Sequence, residues 1–163
     1  MVFGNWACGG LAVEVKVVTN TNDSGPGSLR DALSLASRIP RANGGGYLPR
    51  TVVLNTAGAI ELLSSLASPL GNLTIAGQRA PGEGMSLDGR SLPQTLSNGK
   101  IKTQPGFQIV GGQFAGYQDA NNQIVRFLRS RRTNSGVAAN QAQDGDALTI
   151  KSVSDVIVDH CSL

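Results

Sequence analysis

The sequence is poor in charged residues, in aromatic residues and in cysteine. Charged side chains make up 15% of the 163 residues and aromatic side chains 4%, and the two cysteines are Cys8 and Cys161. The low charge argues against a chain that is disordered through self-repulsion. Two cysteines at opposite ends of the sequence form neither a disulfide framework nor a Cys-x-x-Cys metal or redox motif.

Long apolar runs and clusters of basic residues are also lacking. No run approaches the length of about 18 apolar residues that a membrane-spanning helix needs, so no membrane partner is predicted. The first eight residues lack the basic start and apolar centre of a signal peptide. A net charge of +3 and a pI of about 9.2 suit an acidic polymer as partner. No basic run interleaved with aromatic residues favours nucleic acid.

Short strand-like runs separated by glycine-rich turns dominate the sequence. Leu11–Val18 alternates apolar and polar residues with the period of two that is typical of a half-buried strand. No helical pattern separates the later runs, which disfavours alternating βαβ units. The chain is predicted to form a single domain over residues 1–163, with residues 1–10 poorly ordered. The further predicted strands are Thr51–Leu54, Ala59–Leu63, Asn72–Ala76, Met85–Leu87, Phe107–Val110, Gln123–Leu128, Ala147–Ile150 and Val156–Val158.

One helix is predicted, over Ser28–Ile39. Ser28 and Asp31 have the spacing of a capping box, and the apolar residues that follow fall on one helical face. Pro40 is predicted to end the helix.

Three of the strand-like runs are similar to one another. They begin at Asn72, Asn122 and Asp155, so their starts lie 50 and 33 residues apart. Repeats at intervals of this size are typical of solenoids. With coils of about 25 residues, we interpret the longer interval as two coils and the shorter as one coil with a long loop. Ile124, in an apolar run, is predicted to face the core. A β-sandwich also has short strands at regular spacing, so the pattern alone leaves both architectures open.

The amino-acid sequences of several segments resemble those of known β-helix proteins. Val18–Ala32 resembles the opening segment of many right-handed parallel β-helix proteins, in which a helix plugs the N-terminal end of the stack. Residues 72–84, Gln123–Arg129 and Gly145–Ser162 are similar, in order, to motifs of the pectate lyase family. Ser91–Asn121 contains none of these motifs and is predicted to be a loop insertion or an irregular coil.

This resemblance implies a fold and a function. The implied fold is all-β, a right-handed parallel β-helix with an N-terminal capping helix. The implied reaction is Ca²⁺-dependent β-elimination of polygalacturonate, with pectin or another acidic polysaccharide as partner and secretion as the localisation. In the resembled family, Ca²⁺ binds the substrate carboxylate and acidifies the neighbouring C5 proton, which an arginine removes.

Asp144 and Asp146 are the predicted Ca²⁺ ligands. They flank Gly145, and in the resembled family an Asp-Gly-Asp turn at this strand supplies ligands. Carboxylate oxygens are the hard ligands that Ca²⁺ prefers, but two carboxylates predict weak binding. A solvated turn is the alternative that the residues alone allow.

Arg126 and Arg129 are the predicted substrate-binding residues, because a guanidinium binds a carboxylate in a bidentate manner. Arg131 and Arg132 lie in the same stretch. For all four, a solvent-facing charge is the alternative interpretation. No arginine of the sequence matches the catalytic arginine of the resembled family, so no catalytic residue is assigned.

Asp159 and His160 suggest a catalytic pair, since His160 is the single histidine. Neighbours in a strand point to opposite faces, so the two are not expected to line one cleft directly, and a structural role is predicted. Cys161 is predicted to be a small core residue. Three acidic residues of the earlier coils show no pairing pattern: Glu61, Glu83 and Asp88.

The resemblance also implies that the remaining Ca²⁺ ligands and the catalytic arginine belong to coils beyond Leu163. The chain is therefore expected to be the N-terminal portion of such a β-helix, truncated at the C-terminus, inactive alone and able to self-associate through its open C-terminal end. Two alternatives stay open. One is another β-helix enzyme, such as a polygalacturonase or a pectin methylesterase. The other is a non-catalytic carbohydrate-binding or adhesin-type β-helix module.

Overall fold

The computed structural model describes residues 14–41, 47–69, 71–92, 94–95, 101–102, 104–111, 120–131 and 145–163. Strands dominate its secondary structure, which confirms the predicted all-β class. The elements are β1 (Glu14–Val18), α1 (Leu29–Leu33), β2 (Arg50–Leu54), β3 (Gly58–Glu61), β4 (Leu66–Ser68), β5 (Leu73–Ala76), β6 (Met85–Asp88), β7 (Gln94–Thr95), β8 (Ile101–Lys102), β9 (Phe107–Val110), β10 (Gln123–Arg126), β11 (Leu128–Arg131), β12 (Leu148–Lys151) and β13 (Val156–Asp159), with 3-10 turns at Leu35–Ser37 and Gly77–Arg79. None of the helices in these ranges is long and apolar enough to cross a membrane.

Three parallel sheets contain the described strands, apart from β7 and β8. Sheet 1 has the order β1-β2-β5-β10-β13, sheet 2 the order β11-β6-β3, and sheet 3 the order β12-β9-β4. The chain visits the three sheets in turn, through β2, β3 and β4, then β5, β6 and β9, then β10, β11 and β12. Each circuit lies in parallel register on the one before it. This succession of three-sided coils is consistent with a parallel β-helix. The two remaining strands, β7 and β8, form an antiparallel pair between β6 and β9.

Coil length varies while the register of sheet 1 is kept. Arg50 pairs with Leu73, 23 positions later, and Leu73 pairs with Gln123, 50 positions later. The interval of 50 residues is therefore one coil, and our interpretation of it as two coils was wrong. The extra length lies within the coil, where β7 and β8 are found. Gln123 pairs with Val156, which confirms that the interval of 33 is one coil.

A left-handed residue precedes three strands of sheet 1. Asn72, Asn122 and Asp155 have φ angles of 53°, 57° and 57°. Asparagine and aspartate adopt this conformation more readily than other residues that carry a Cβ. The Asn122 carbonyl accepts from Leu73 N at 3.1 Å, and the Asp155 carbonyl accepts from Gln123 N at 3.1 Å. The three runs are thus similar in sequence because each begins with the same left-handed turn.

The core lies between the sheets, and strand alternation decides which side chains enter it. Val52, Ile75 and Val125 pair in register on sheet 1 and are at most 2% exposed. Ile124 lies on the opposite, outer face between Thr74 and Ile157, where it is only partly buried. The prediction that Ile124 faces the core was wrong. The run is apolar on both faces, so its composition does not reveal which alternate residues point into the core.

Two predicted elements are shorter than expected. The strand predicted over Gln123–Leu128 is two strands, because Phe127, with φ of 54°, turns the chain from sheet 1 into sheet 2. The helix predicted over Ser28–Ile39 ends at Leu33. Ser28 Oγ accepts from Asp31 N at 3.1 Å as the capping pattern predicted, and Ser34 then leaves the helical conformation. Ile39 is 48% exposed, so the predicted apolar face does not extend that far.

A buried ion pair joins the first two strands to the helix. Arg50 is fully buried, and its guanidinium donates to both Glu14 carboxylate oxygens, at 2.7 and 3.0 Å. Its Nη1 also donates to the Ala32 carbonyl at 2.6 Å and to Ser37 Oγ at 2.9 Å. Arg50 therefore satisfies acceptors from β1, from α1 and from the 3-10 turn that follows. Burial and the neighbouring Arg50 lower the pKa of Arg38 to about 10.

The register of sheet 1 predicts unequal effects for two adjacent substitutions. Val125→Asp places an unpaired carboxylate in the core and is expected to lower the free energy of unfolding by about 3–5 kcal/mol. Ile124→Asp places the same group on the outer face and is expected to cost about 1 kcal/mol. Urea unfolding followed by circular dichroism measures both. Equal losses would contradict the facing that the structure gives these residues.

The Glu14–Arg50 pair predicts a non-additive double substitution. Glu14→Leu leaves the Arg50 charge buried without a counter-ion, and we expect a loss of about 3–5 kcal/mol. Glu14→Leu with Arg50→Met removes both charges and is expected to recover part of that loss, because a buried ion pair often exchanges for apolar groups at little cost. Recovery is incomplete because Ala32 and Ser37 lose the donor that Arg50 provides. Thermal and urea unfolding of the single and double variants test this. A double variant with the summed loss of the two single variants would show that the charges do not act as a pair.

Candidate functional site

The turns that lead from sheet 1 to sheet 2 stack on one another. Gly77 begins the turn after β5, Phe127 lies between β10 and β11, and His160 follows β13. A Cβ added at Gly77 would lie 2.3 Å from the Phe127 carbonyl oxygen and 2.6 Å from that of Arg126. Only glycine therefore allows the backbones of these two successive turns to come so close.

Phe127 and His160 form a ring stack on this edge. Their φ angles are 54° and 51°, and their ring centroids lie 4.8 Å apart with 15° between the planes. Both side chains are exposed to solvent, Phe127 by 41%. The repeated left-handed turn thus presents an aromatic surface to the outside.

A cavity of about 360 Å³ opens beside the ring stack, and we call it the turn cavity. The glycine-rich turn at 77–84 forms one wall, and the start of β11 and the residues after β13 form the others. The side chains that determine its chemistry are Gln78, Glu83, Phe127, Arg129, His160 and Ser162. The cavity therefore combines an aromatic surface with one cation and one carboxylate.

Arg129 lies on β11 and reaches into the turn cavity. Its Nη1 donates to Glu83 Oε2 at 3.2 Å, where the Glu83 side chain is 92% exposed and that of Arg129 32%. Arg129 Nε is buried and has no hydrogen-bond partner among the described residues. The predicted substrate-binding residue Arg129 is thus in a cavity, with donor capacity left over.

Arg126 lies at the end of β10 on the outer face of sheet 1. It pairs in register with Asp159, and its Nε lies 3.0 Å from Asp159 Oδ2. Asp159 Oδ1 lies 2.6 Å from His160 Nδ1. The two side chains contact each other because the left-handed backbone at His160 ends the strand alternation, but of the two residues His160 alone lines the turn cavity.

The outer face of sheet 2 carries charged residues in register. Glu61 pairs in register with Asp88, and Asp88 with Arg131. Arg90 donates to both Asp88 carboxylate oxygens, and this hydrogen bonding lowers the pKa of Asp88. Glu61 accepts from Ser91 Oγ. A second cavity, of about 410 Å³, is lined by Ala59, Glu61, Asp88, Arg90 and Ser91.

The interpretation that Glu61, Glu83 and Asp88 show no pairing pattern was therefore wrong. Glu83 and Asp88 form ion pairs with Arg129 and Arg90, and Glu61 stands beside Asp88. The partners of Glu83 and Glu61 come from other strands or turns, so their pairing depends on coil register.

Asp146 lies immediately before the segment that leads into β12 and is exposed to solvent. Its Oδ2 accepts from Thr149 Oγ1 at 3.2 Å, and its carbonyl accepts from Gly106 N at 2.9 Å. Asp144 and Arg132 fall outside the described residues. Within the described ranges, no group of three or more His, Cys, Asp or Glu side chains converges on a point that could hold a metal ion. The exposed Asp146 carboxylate is a ligand of the type that Ca²⁺ prefers. Because Asp144 lies outside the described residues, the Ca²⁺ site at Asp144 and Asp146 stays a prediction.

Cys161 is a partly buried free thiol that packs against the core, in agreement with its predicted packing. Its Sγ lies 3.4 Å from the Asp159 carbonyl oxygen. Cys8 falls outside the described residues.

Known proteins that are similar to this chain indicate its family. No protein-family model matches the chain. A probable pectate lyase C from Aspergillus terreus is 35% identical over 161 residues, which cover 99% of this chain and 29% of that protein. Probable pectate lyase C proteins from Aspergillus flavus and Emericella nidulans are 34% identical over 161 residues, covering 29% and 28% of their lengths. This similarity supports a pectate lyase-like family for the chain. It spans about 29% of the length of the curated relatives it matches.

In this pectate lyase-like chain, the predicted site residues lie in three separate places. Arg126 is on the outer face of sheet 1, Arg129 is in the turn cavity, and Asp146 precedes β12 in sheet 3. Only Arg129 lines a described cavity. The ion pair of Glu83 with Arg129 was not predicted, although the flanking Gly82 and Gly84 indicate an exposed turn.

Proposed function

We propose that the chain is part of a Ca²⁺-dependent pectate lyase that cleaves polygalacturonate by β-elimination. The observation that carries the proposal is the alignment of 99% of the chain with proteins named probable pectate lyase C. The arrangement of three parallel sheets agrees with the fold that the resemblance implies. A protein that acts on the pectin of cell walls works outside the cell, so secretion belongs to the same proposal.

The finer proposal for the fold is a right-handed parallel β-helix that α1 caps at one end. Parallel crossovers within a sheet are right-handed in nearly all proteins, which supports this hand. Leu29, Ala32 and Leu33 of α1 are buried in the core, and α1 packs against β1, β2 and β4. These strands belong to the first coils, where the end of a solenoid needs a cover.

The proposed substrate contacts are ionic. The side chains of Arg126 and Arg129 are both partly exposed, and a guanidinium matches the planar carboxylate of a uronate. Both arginines form ion pairs with carboxylates of this chain, Asp159 and Glu83, which supports their binding of a carboxylate ligand. The net charge of +3 favours the approach of an acidic polymer.

Ca²⁺ would be held by Asp146 together with Asp144. When bound, the ion supplies charge neutralisation of a substrate carboxylate and so acidifies the adjacent C5 proton. In the elimination, this proton leaves C5, the C4–oxygen bond breaks, and a C4–C5 double bond forms. We assign no arginine of this chain as the base that takes the proton, so binding is the property to measure on it.

The arginines predict a loss of polysaccharide binding. In electrophoresis through gels that contain polygalacturonate, we expect the wild-type chain to be retarded and Arg126→Gln and Arg129→Gln each to weaken binding about tenfold, the typical effect of one charge-assisted hydrogen bond.

Arg41→Gln is the matched control, since Arg41 lines neither cavity and donates to the Tyr47 carbonyl. Equal weakening by Arg41→Gln would reduce the contacts to general attraction between charges. A wild-type chain that migrates as it does in a gel without polygalacturonate would refute the proposed function.

The aspartates predict weak Ca²⁺ binding. Isothermal titration should give a dissociation constant on the order of millimolar or weaker, because few carboxylates are available. Asp144→Asn with Asp146→Asn should abolish the signal. Asp155→Asn is the matched control, since asparagine tolerates the left-handed backbone at that position. Unchanged binding by the Asp144/Asp146 variant would place the ligands elsewhere.

A further inference from the structure

The sequence contains two Asn-x-Ser/Thr sequons, the motif at which N-linked glycans are attached in secreted proteins. One is Asn22-Asp23-Ser24 and the other is Asn72-Leu73-Thr74. Neither belongs to the proposed substrate contacts or to the proposed Ca²⁺ site. Both lie in described parts of the chain, and their surroundings differ.

Asn22 lies on an exposed loop. A hydrogen bond from Thr19 N to the Gly27 carbonyl, at 2.9 Å, closes this loop after β1. Asn22 and Ser24 are both exposed to solvent. Asn22 N donates to Asn20 Oδ1 at 3.1 Å, while the side-chain amide of Asn22 has no hydrogen-bond partner among the described residues. A substituent on Asn22 Nδ2 therefore breaks no described contact.

Asn72, in contrast, is built into sheet 1. It is partly buried, and its carbonyl accepts from Arg50 N at 2.9 Å. Its Oδ1 accepts from Asn122 Nδ2 at 3.5 Å, so the two amides lie against each other on successive coils. Thr74, the third residue of this sequon, is on β5, which has β2 on one side and β10 on the other. A glycan on Asn72 would force these stacked turns apart.

The loop that carries Asn22 runs beside β3, the last strand of sheet 2 in the described part of the chain. Thr21 Cγ2 lies 3.4 Å from the point where a Cβ on Gly58 would stand, and Asp23 Oδ1 accepts from Leu63 N at 3.2 Å. These contacts tie the loop to both ends of β3, with Asn22 between them. The turn cavity lies beside β11, at the other side of sheet 2, so a glycan on Asn22 leaves that cavity open.

We infer that Asn22 carries an N-linked glycan and that Asn72 does not. The donor is an oligosaccharide on a lipid pyrophosphate. Asn22 Nδ2 forms a bond to the anomeric carbon of the first sugar, the bond from that carbon to the pyrophosphate oxygen breaks, and the amide loses one proton as the lipid pyrophosphate leaves. The inference rests on the secretion that belongs to the proposed function, through an endoplasmic reticulum such as that of the fungi that hold the similar proteins.

The test is secretion of the full chain from a yeast, behind a cleavable signal peptide. We expect a slower gel band that peptide N-glycosidase F converts to the mobility of the same chain made in bacteria. In H₂¹⁸O this enzyme leaves ¹⁸O-labelled aspartate where a glycan was attached, so mass spectrometry of the peptides reports on each sequon separately. The label is expected at Asn22 and not at Asn72.

Matched variants separate the two sequons. Ser24→Ala destroys the first sequon without changing Asn22 and is expected to abolish the label, whereas Ser24→Thr keeps the sequon and is expected to retain it. Thr74→Val destroys the second sequon and is expected to leave the label at Asn22 unchanged. The chain recovered from the endoplasmic reticulum is measured beside the secreted chain, so poor export of a variant does not hide its modification.

Three outcomes would overturn the inference: an unlabelled Asn22 in both samples, a label that survives Ser24→Ala, or a label at Asn72 in the secreted chain. The polygalacturonate gels judge the proposed function independently. An unmodified secreted chain that these gels retard would leave the proposed function standing. A glycan on Asn22 of a chain that they do not retard would support the modification site and refute the proposed function.

Discussion

In-register pairing of backbone groups between consecutive coils is the constraint on which the rest of the structure depends. Each strand of sheet 1 is hydrogen-bonded to the strand one coil away, so the face that a side chain occupies is fixed by its partner. Val125 enters the core because it pairs with Ile75, and Arg126 stays outside beside Asp159. The buried Glu14–Arg50 pair extends this order to the first strands, where the helix packs.

The same constraint builds the candidate site from turns. Each coil leaves sheet 1 at the same level, so Gly77, Phe127 and His160 meet although they are distant in sequence. Left-handed backbone at Phe127 and His160 redirects both side chains outward. Arg129 follows two residues after Phe127 and is thereby carried to the turn cavity. Binding groups are thus placed by turn geometry rather than by the strands alone.

How much the sequence predicted depended on whether the signal was local. The strand runs, the cap at Ser28 and the similarity of the three runs that begin at Asn72, Asn122 and Asp155 follow from short-range chemistry and were found. The left-handed backbone at these three residues was not predicted. Three other features depend on which coil lies next to which. They are the sheet face that Ile124 occupies, the pairing of Glu83 with Arg129 and the number of coils between residues 73 and 123. Periodicity in one sequence does not contain that information when coil lengths differ. Motif resemblance supplied the family, and only the structure supplied the cavity.

The unequal coils have an evolutionary consequence. A coil of 23 residues and a coil of 50 return to the same strand position, so segments inserted into turns leave the ladder of sheet 1 unchanged. Natural variation in these segments can therefore remodel the surface around a fixed scaffold. A chain that gains or loses such a loop can still fold. Substitutions in the turns can thus change ligand contacts, while the paired strands maintain stability.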